Sequence, residues 1–283
     1  MTLSTAQIAG SNFAYQHLPL ETFLDDMADL GREQLELWGI APQLHIPELA
    51  ADDLLHIRNL MADRGLHAYC VTPEQVAYPV NVASPVEWMR RSSIGMFLRA
   101  AEVCAELEAP YLFLTPGRGF ENERTDAAWQ RSVDALSEIA SRAQELGVGC
   151  ILEPLQRVES NLVNDSKTLR RMIADIGAPN VGGALDTVAM ATAGETVADY
   201  HENLGSLIRH VHLIDGRPTG HLAWDEGQLP LREYLAGLET IGYDGYLTFE
   251  LFGDGQYAFD PRRALDSCFA AVERELGALH AAG

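Results

Sequence analysis

Short apolar segments alternate with longer amphipathic segments along all 283 residues of the chain. Apolar runs of this length are typical of strands buried on both faces of a parallel sheet, and apolar residues three and four apart indicate helices. Glycine or proline closes many of the segments, as expected at element ends. The sequence predicts strands at residues 8–15, 34–38, 66–71 and 111–115, and four later ones at or near Glu153, Asp186, His212 and Glu250.

The predicted helices fall between and after these strands. They cover residues 20–30, 54–62, 85–107, 127–146, 167–176, 196–207, 231–241 and 261–276. Eight strand–helix units without a linker predict a single (β/α)8 TIM barrel that forms one domain over residues 1–283. A doubly wound open sheet is the alternative, but no glycine-rich dinucleotide-binding turn follows an early strand.

The composition limits the classes of partner. The formal net charge is −21, from 41 acidic and 20 basic side chains, and such a surface repels nucleic acid. No apolar run is long enough to span a bilayer and no secretory leader is recognisable, so we expect a cytoplasmic protein without a membrane partner. Four cysteines without close spacing are predicted to be buried, reduced thiols: Cys70, Cys104, Cys150 and Cys268.

Four successive strand ends carry a chemistry-bearing side chain. Glu153 precedes Pro154, which cannot continue a sheet ladder, and Asp186, His212 and Glu250 stand at corresponding places. Strand ends meet at the mouth of a barrel, so these four residues can share one ion. Three carboxylates and one imidazole suit a hard divalent ion: we expect Mn²⁺, with Co²⁺ or Mg²⁺ as alternatives. The competing interpretation, four unrelated polar residues near loops, weakens with each further strand end.

A second histidine, His210, lies two residues before His212. We expect only His212 to face the barrel mouth. His210 is expected on the opposite face of the strand, where it would be packed or hydrogen bonded.

The same residues carry a family resemblance. Glu153-Pro154-Leu155 with Glu159, then Leu185-Asp186, His210-Val211-His212 and Phe249-Glu250, resemble the xylose-isomerase-like barrels of the sugar phosphate isomerase/epimerase superfamily, especially the ketose 3-epimerases. Shorter motifs resemble the fructoselysine 3-epimerases within that group. They are Tyr15-Gln16-His17-Leu18-Pro19, Leu35-Glu36-Leu37-Trp38-Gly39, Thr72-Pro73-Glu74, Tyr78-Pro79 with Asn81, and Met89-Arg90-Arg91.

The resemblance implies a reaction. The metal would chelate the C2 carbonyl and C3 hydroxyl of a ketose or ketosamine, which acidifies the C3 proton. Glu153 and Glu250 would remove that proton and return one to the opposite face, through an enediolate. Glu159 would hold substrate hydroxyls. His221 falls where many ketose epimerases place an arginine, with Arg217 as the neighbouring candidate.

Two departures from the family pattern concern the sugar. Asp186 is followed by Thr187-Val188-Ala189 without the usual histidine, and Trp224-Asp225-Glu226 precedes Gly227 in place of the usual Pro-Gly. The resulting apolar wall, with Trp38, Tyr78 and Trp224, would accept a substituted sugar. For the two tryptophans, packing at the barrel mouth is the alternative.

Other functions remain open on the sequence. A lyase of the same superfamily, either an inosose-type dehydratase or the barrel subunit of an enzyme that cleaves C-glycosides of 3-keto sugars, would use the same four ligands. A DNA-repair endonuclease would need more ligands and a basic face, and a non-catalytic subunit would be expected to lack a ligand. The apolar helix at residues 85–107 predicts a homo-oligomer, or a hetero-oligomer for the lyase.

Overall fold

The computed structural model describes residues 2–75, 79–253 and 255–282, so the predicted site residue Tyr78 lies outside the described residues. Eight parallel strands close into a barrel in sequence order, and the pairing of β1 with β8 completes it. The predicted (β/α)8 barrel is therefore confirmed. The strands are β1 (Ile8–Ser11), β2 (Gln34–Gly39), β3 (His67–Pro73), β4 (Tyr111–Leu114), β5 (Gly149–Leu152), β6 (Val181–Asp186), β7 (Ile208–His212) and β8 (Tyr246–Thr248).

Helices follow the strands and cover the outside of the barrel, where their apolar faces pack against it. Among the described residues the α-helices are α1 (Leu20–Asp29), α2 (Ala51–Ala62), α3 (Glu87–Glu106), α4 (Thr125–Glu145), α5 (Ser166–Ile176), α6 (Thr187–Ala193), α7 (Val197–Leu204), α8 (Leu231–Thr240) and α9 (Pro261–Ala282). Local chemistry sets their ends. Asp165 caps α5 through its side chain, which accepts from the Thr168 amide at 2.7 Å, and Gly177 ends the same helix at a φ of 70°.

The core has two parts. The larger lies between strands and helices, and a small cluster of Phe113, Ile151 and Ala184 fills the barrel interior. The ring of Phe113 stacks on the imidazole of His212 at a centroid distance of 4.8 Å. An apolar floor thus supports a polar layer nearer the mouth, and polar groups held on such a floor are poorly solvated.

Some predicted boundaries were wrong. The first strand stops at Ser11 and a 3-10 turn, Phe13–Tyr15, follows it. The helix predicted at residues 196–207 consists of α7 and a 3-10 turn, Gly205–Leu207. The short helix α6 was not predicted, because its sequence Thr-Val-Ala-Met-Ala-Thr-Ala carries no amphipathic period and four of its residues are buried.

All four cysteines are free and buried, as predicted. Burial raises the pKa of Cys150 and of Cys268 to about 12, so both thiols stay protonated and unreactive at neutral pH. No described helix combines the length and the apolarity that a membrane crossing needs.

Candidate metal centre and active site

The four residues predicted at the strand ends lie together at the barrel mouth. Nδ1 of His212 is 2.8 Å from Oε1 of Glu153, 3.1 Å from Oε2 of Glu250 and 4.0 Å from Oδ2 of Asp186. One potential ligand atom from each of the four lies within 4.8 Å of the others. All four side chains are buried. Their convergence follows from the barrel, in which β5, β6, β7 and β8 are consecutive neighbours.

The donor set fits a divalent cation. Oδ2 of Asp186 is buried and has no hydrogen-bond partner among the described residues, and Nδ1 of His212, although close to Glu153 and Glu250, makes no well-aligned hydrogen bond to them. Three carboxylates packed around one imidazole are costly to bury unless a positive charge compensates them. Oxygen-rich sets with one imidazole are typical of hard to borderline divalent ions. The second oxygen of Asp186 is already used, since Oδ1 accepts from the Ala189 amide at 2.5 Å and caps α6.

A carboxylate behind the imidazole was missed in the sequence. Both oxygens of Glu36 on β2 lie 3.2 Å from Nε2 of His212, and Oε2 lies 3.1 Å from Nε2 of His210. The Thr72 hydroxyl donates to Oε1 at 2.6 Å. A carboxylate bonded to the outer nitrogen of a ligating histidine fixes the ring and its tautomer. The sequence did contain an indication of a role for Glu36, because this acid interrupts the apolar residues of a strand predicted to be buried.

The expectation for the face of His210 was wrong. Residues two apart in a strand share a face, so His210 points into the barrel like His212, one layer deeper. The two rings are 5.3 Å apart and nearly perpendicular. His210 is hydrogen bonded, as expected: Glu36 lies on one side, and the Thr248 hydroxyl lies 2.9 Å from Nε2. Its role is to hold Glu36 rather than to face the cavity.

Burial and mutual repulsion set the electrostatics of the metal-free site. Burial raises the pKa of Glu153 well above its usual value, and the neighbouring Glu250 and Asp186 add to the shift. Burial also raises the pKa of Asp186. For His212, burial lowers the pKa, but Glu36, Glu250 and Glu153 together outweigh it and hold the pKa well above the usual range. The site therefore binds protons tightly when no metal compensates its charge.

A cavity opens from this cluster. Glu153, Asp186 and Glu250 line it, together with the predicted substrate contacts Trp38, Glu159 and His221. Glu159 folds back on its own turn, where Oε2 accepts from the Gln156 amide at 3.0 Å, and burial raises its pKa. Nε2 of His221 lies 3.5 Å from Oε2 of Glu250.

The indole of Trp38 forms an apolar wall. It stacks on Phe13 at 4.1 Å, and Phe13 stacks on Phe252 at 5.4 Å. The Nε1–H of Trp38 is buried without a partner among the described residues. Ala189 also lines the cavity. The cavity lining thus includes apolar surface from Trp38 and Ala189.

Other predicted residues lie elsewhere. The Arg217 side chain is exposed, and its Nε donates to the Glu226 carbonyl at 2.9 Å, outside the residues that line the cavity. Trp224 is buried in the core, where Nε1 donates to the Leu213 carbonyl at 3.0 Å, so the packing alternative holds for it. Asp215, in the loop that follows β7, accepts from the amides of Gly227 and Leu229 and shapes that loop.

A closed parallel barrel whose mouth gathers three carboxylates and an imidazole defines a metal-dependent enzyme of the barrel class. The chain belongs to the xylose isomerase-like TIM barrel family, whose model matches residues 24–270. It is 32% identical over 250 residues to a fructoselysine 3-epimerase of Escherichia coli O157:H7, covering 88% of this chain and 90% of that protein. It is 26% identical to a ketose 3-epimerase of Arthrobacter globiformis over 216 residues, 75% of this chain and 73% of that one.

A solved structure of an L-ribulose 3-epimerase has the same fold. It superposes with a TM-score of 0.80 at 22% identity, covering 97% of this chain and 95% of the other. The prediction that this chain is an enzyme that epimerises or isomerises sugars is confirmed at the level of the family.

Proposed function

We propose that this chain is a divalent-metal-dependent 3-epimerase of a ketose or ketosamine, with Glu153 and Glu250 as its proton-transfer groups. The observation that carries the proposal is the position of these two carboxylates beside Nδ1 of His212, at 2.8 and 3.1 Å. They follow β5 and β8, which are separated by two strands around the barrel. Two bases on different sides of one cavity can reach opposite faces of a carbon between them.

Glu153, Asp186, His212 and Glu250 would hold the ion. When bound there, a divalent ion supplies a Lewis acid that polarises the ketone and stabilises negative charge on the adjacent oxygens. Mn²⁺ is the proposed ion, with Co²⁺ or Mg²⁺ as alternatives, because oxygen ligands predominate. Glu36 keeps the His212 ring oriented, since it bonds the nitrogen that faces away from the cluster.

The proton moves in two steps. One glutamate takes the proton from the carbon next to the ketone, which leaves an enediolate, and the other delivers a proton to the opposite face of the same carbon. The configuration is thereby inverted. The apolar wall at Trp38 keeps bulk water from that side of the cavity.

The remaining contacts position the sugar. Glu159 and His221 line the cavity beside the two glutamates and are proposed to bind substrate hydroxyls, and Trp38 to face the sugar ring or chain. Tyr78 and Arg217 stay predictions as substrate contacts. A ketosamine is the proposed substrate class within the ketoses, supported by the 32% identity to a fructoselysine 3-epimerase over 88% of the chain.

We also propose that the protein is cytoplasmic and at least a homodimer, with one barrel domain over residues 1–283. The dimer is proposed because α3 carries a large apolar side chain, Trp88, that is 62% exposed and could pack against a second copy. A partner protein in a hetero-oligomer would instead be expected of the lyase alternative.

Epimerisation in heavy water tests the reaction. Metal-loaded protein is incubated with D-fructose, L-ribulose or an N-substituted fructosamine, and the products are separated. We expect the C3 epimer with deuterium at C3. Expulsion of a substituent from a 3-keto glycoside, without epimerisation of any ketose or ketosamine, would indicate the lyase and overturn the proposal.

A further inference from the structure

Two buried amide side chains line the cavity and have an unused acceptor. Oε1 of Gln75, after β3, and Oε1 of Gln156, after β5, are both buried and have no hydrogen-bond partner among residues 2–75, 79–253 and 255–282. The side chains are 4% and 8% exposed. Buried amide oxygens are almost always hydrogen bonded, so two unpaired amide oxygens in residues that line one cavity suggest that a ligand pairs with them.

The backbone and neighbours hold both amides in place. Nε2 of Gln75 donates to the Phe113 carbonyl at 3.4 Å, which directs Oε1 away from β4. Gln156 begins a tight turn. Its backbone N–H donates to Oε2 of Glu159, and its backbone carbonyl accepts from the backbone amides of Glu159 and Ser160 at 2.9 and 3.0 Å. A hydrogen bond thus orients the side-chain amide of Gln75, and the turn fixes the backbone from which the side chain of Gln156 extends.

The surroundings decide which ligand suits these acceptors. The same cavity holds Glu153, Asp186 and Glu250, so the two amides lie beside the groups proposed to act on C3. Gln75 also lines an adjoining cavity, with Asn81 and Met89, that leads away from the metal ligands. An amide oxygen accepts from a neutral O–H without adding to the negative charge of the acids. The cavity thus offers neutral acceptors where the rest of a sugar chain would extend.

The geometry points to Gln75 and Gln156 as two specificity-determining residues, each accepting a hydrogen bond from a hydroxyl of the sugar that does not react. The inference rests on the proposed function only in taking the ligand to be a sugar. The site should therefore bind a sugar with all its hydroxyl groups more tightly than an analogue that lacks a hydroxyl at a carbon other than C2 or C3.

Binding to metal-loaded protein tests the inference without relying on turnover. Dissociation constants are measured by calorimetry for D-fructose and its 1-, 4-, 5- and 6-deoxy analogues. Wild-type protein should bind two of the analogues about fivefold to tenfold more weakly than D-fructose, the usual effect of one neutral hydrogen bond. The Gln75→Met variant should bind one of these two analogues as tightly as it binds D-fructose, and the Gln156→Met variant should do so for the other. The Gln144→Met variant, changed at an exposed position on α4, should still bind both more weakly than D-fructose.

The outcomes separate the two proposals. The inference is overturned if both methionine variants still bind the deoxy analogues more weakly than D-fructose, or if the wild type binds all of them equally well. The proposed epimerase would still hold in that case if deuterium enters C3. If each variant removes its difference in affinity, in a protein that epimerises no ketose, the inference is supported while the proposed reaction fails. Failure of every sugar to bind overturns both.

Discussion

Glu36 and His212 meet inside the barrel although 176 residues separate them, with both carboxylate oxygens 3.2 Å from Nε2. The other nitrogen of the ring faces Glu153 and Glu250. Burial raises the pKa of Glu36, but the two histidines outweigh it and hold the pKa well below the usual range, so Glu36 stays ionised. An ionised carboxylate behind the ring makes Nδ1 a better electron donor to a cation.

Replacing Glu36 by glutamine should weaken metal binding by roughly 10- to 100-fold, the usual effect of removing such a partner. Competition with a chromogenic chelator measures the affinity. Thr72→Val is the matched control, because it removes only the hydroxyl that donates to Oε1 and should have a smaller effect. Unchanged affinity in a folded Glu36→Gln protein would show that Glu36 serves packing alone.

The Asp186→Asn variant should bind much less metal than the wild type, because Asp186 contributes a buried oxygen that has no other partner among the described residues. Chelator-stripped wild-type protein should lose activity and regain it with Mn²⁺ or Co²⁺, while the variant stays largely empty in elemental analysis. Asp165→Asn is the control, because asparagine can still cap α5. Full activity of the stripped wild type would refute the assignment.

Glu153→Gln and Glu250→Gln each keep an oxygen for the metal but remove a base. Turnover should fall by roughly 100- to 10,000-fold, the range of general base catalysis, while much of the metal remains. Glu145→Gln, at an exposed position, should have no effect. Active glutamine variants together with a product free of solvent deuterium would point to a hydride shift.

The stability of the metal-free protein should fall as the pH rises above the ordinary pKa values of three site residues, about 4 for two carboxylates and about 6.5 for one histidine. Burial raises the folded-state pKa of Glu153 and Asp186, and carboxylates raise that of His212 against the effect of burial. Groups with raised folded-state pKa values stabilise the fold while protonated, and this contribution is lost as the pH rises through those values. The lowered pKa values of Glu36 and of the buried His210 act in the opposite sense, but only below the ordinary pKa of each group.

Added Mn²⁺ should therefore raise the Tm more at about pH 8 than at about pH 6, because the metal competes with protons for the same ligands. Scanning calorimetry with chelator or with metal measures the difference, and Asp186→Asn should reduce it. A metal-induced gain that does not change with pH would contradict the tight proton binding inferred for the site.

The oligomer can be tested through Trp88. Light scattering at micromolar concentration should give at least twice the 31.0 kDa mass of the chain. Trp88→Glu should shift the population towards the monomer if α3 forms the contact, whereas Leu55→Glu, at another exposed apolar side chain, should not. A monomeric wild type would remove the proposal.

The sequence was sufficient for the barrel and for the convergence of the strand ends, because both follow from local patterns repeated around a closed sheet. Glu153, Asp186, His212 and Glu250 could be found without coordinates, since each stands at or just beyond the end of a recognisable strand. Glu36 could not be assigned a role in this way, because its partners lie on β7, far away in sequence. The position of the Arg217 side chain depends on the path of a long loop, which local pattern does not determine.

The centre draws on β2 as well as on β5 to β8, so it spans the seam where β8 pairs with β1. A chain that has folded only its second half can present the four ligands but lacks the carboxylate that orients the imidazole. Tight metal uptake would then report that the ring of strands has closed. During refolding it should appear together with the last native tertiary contacts, which makes the ion a natural probe of how the barrel assembles.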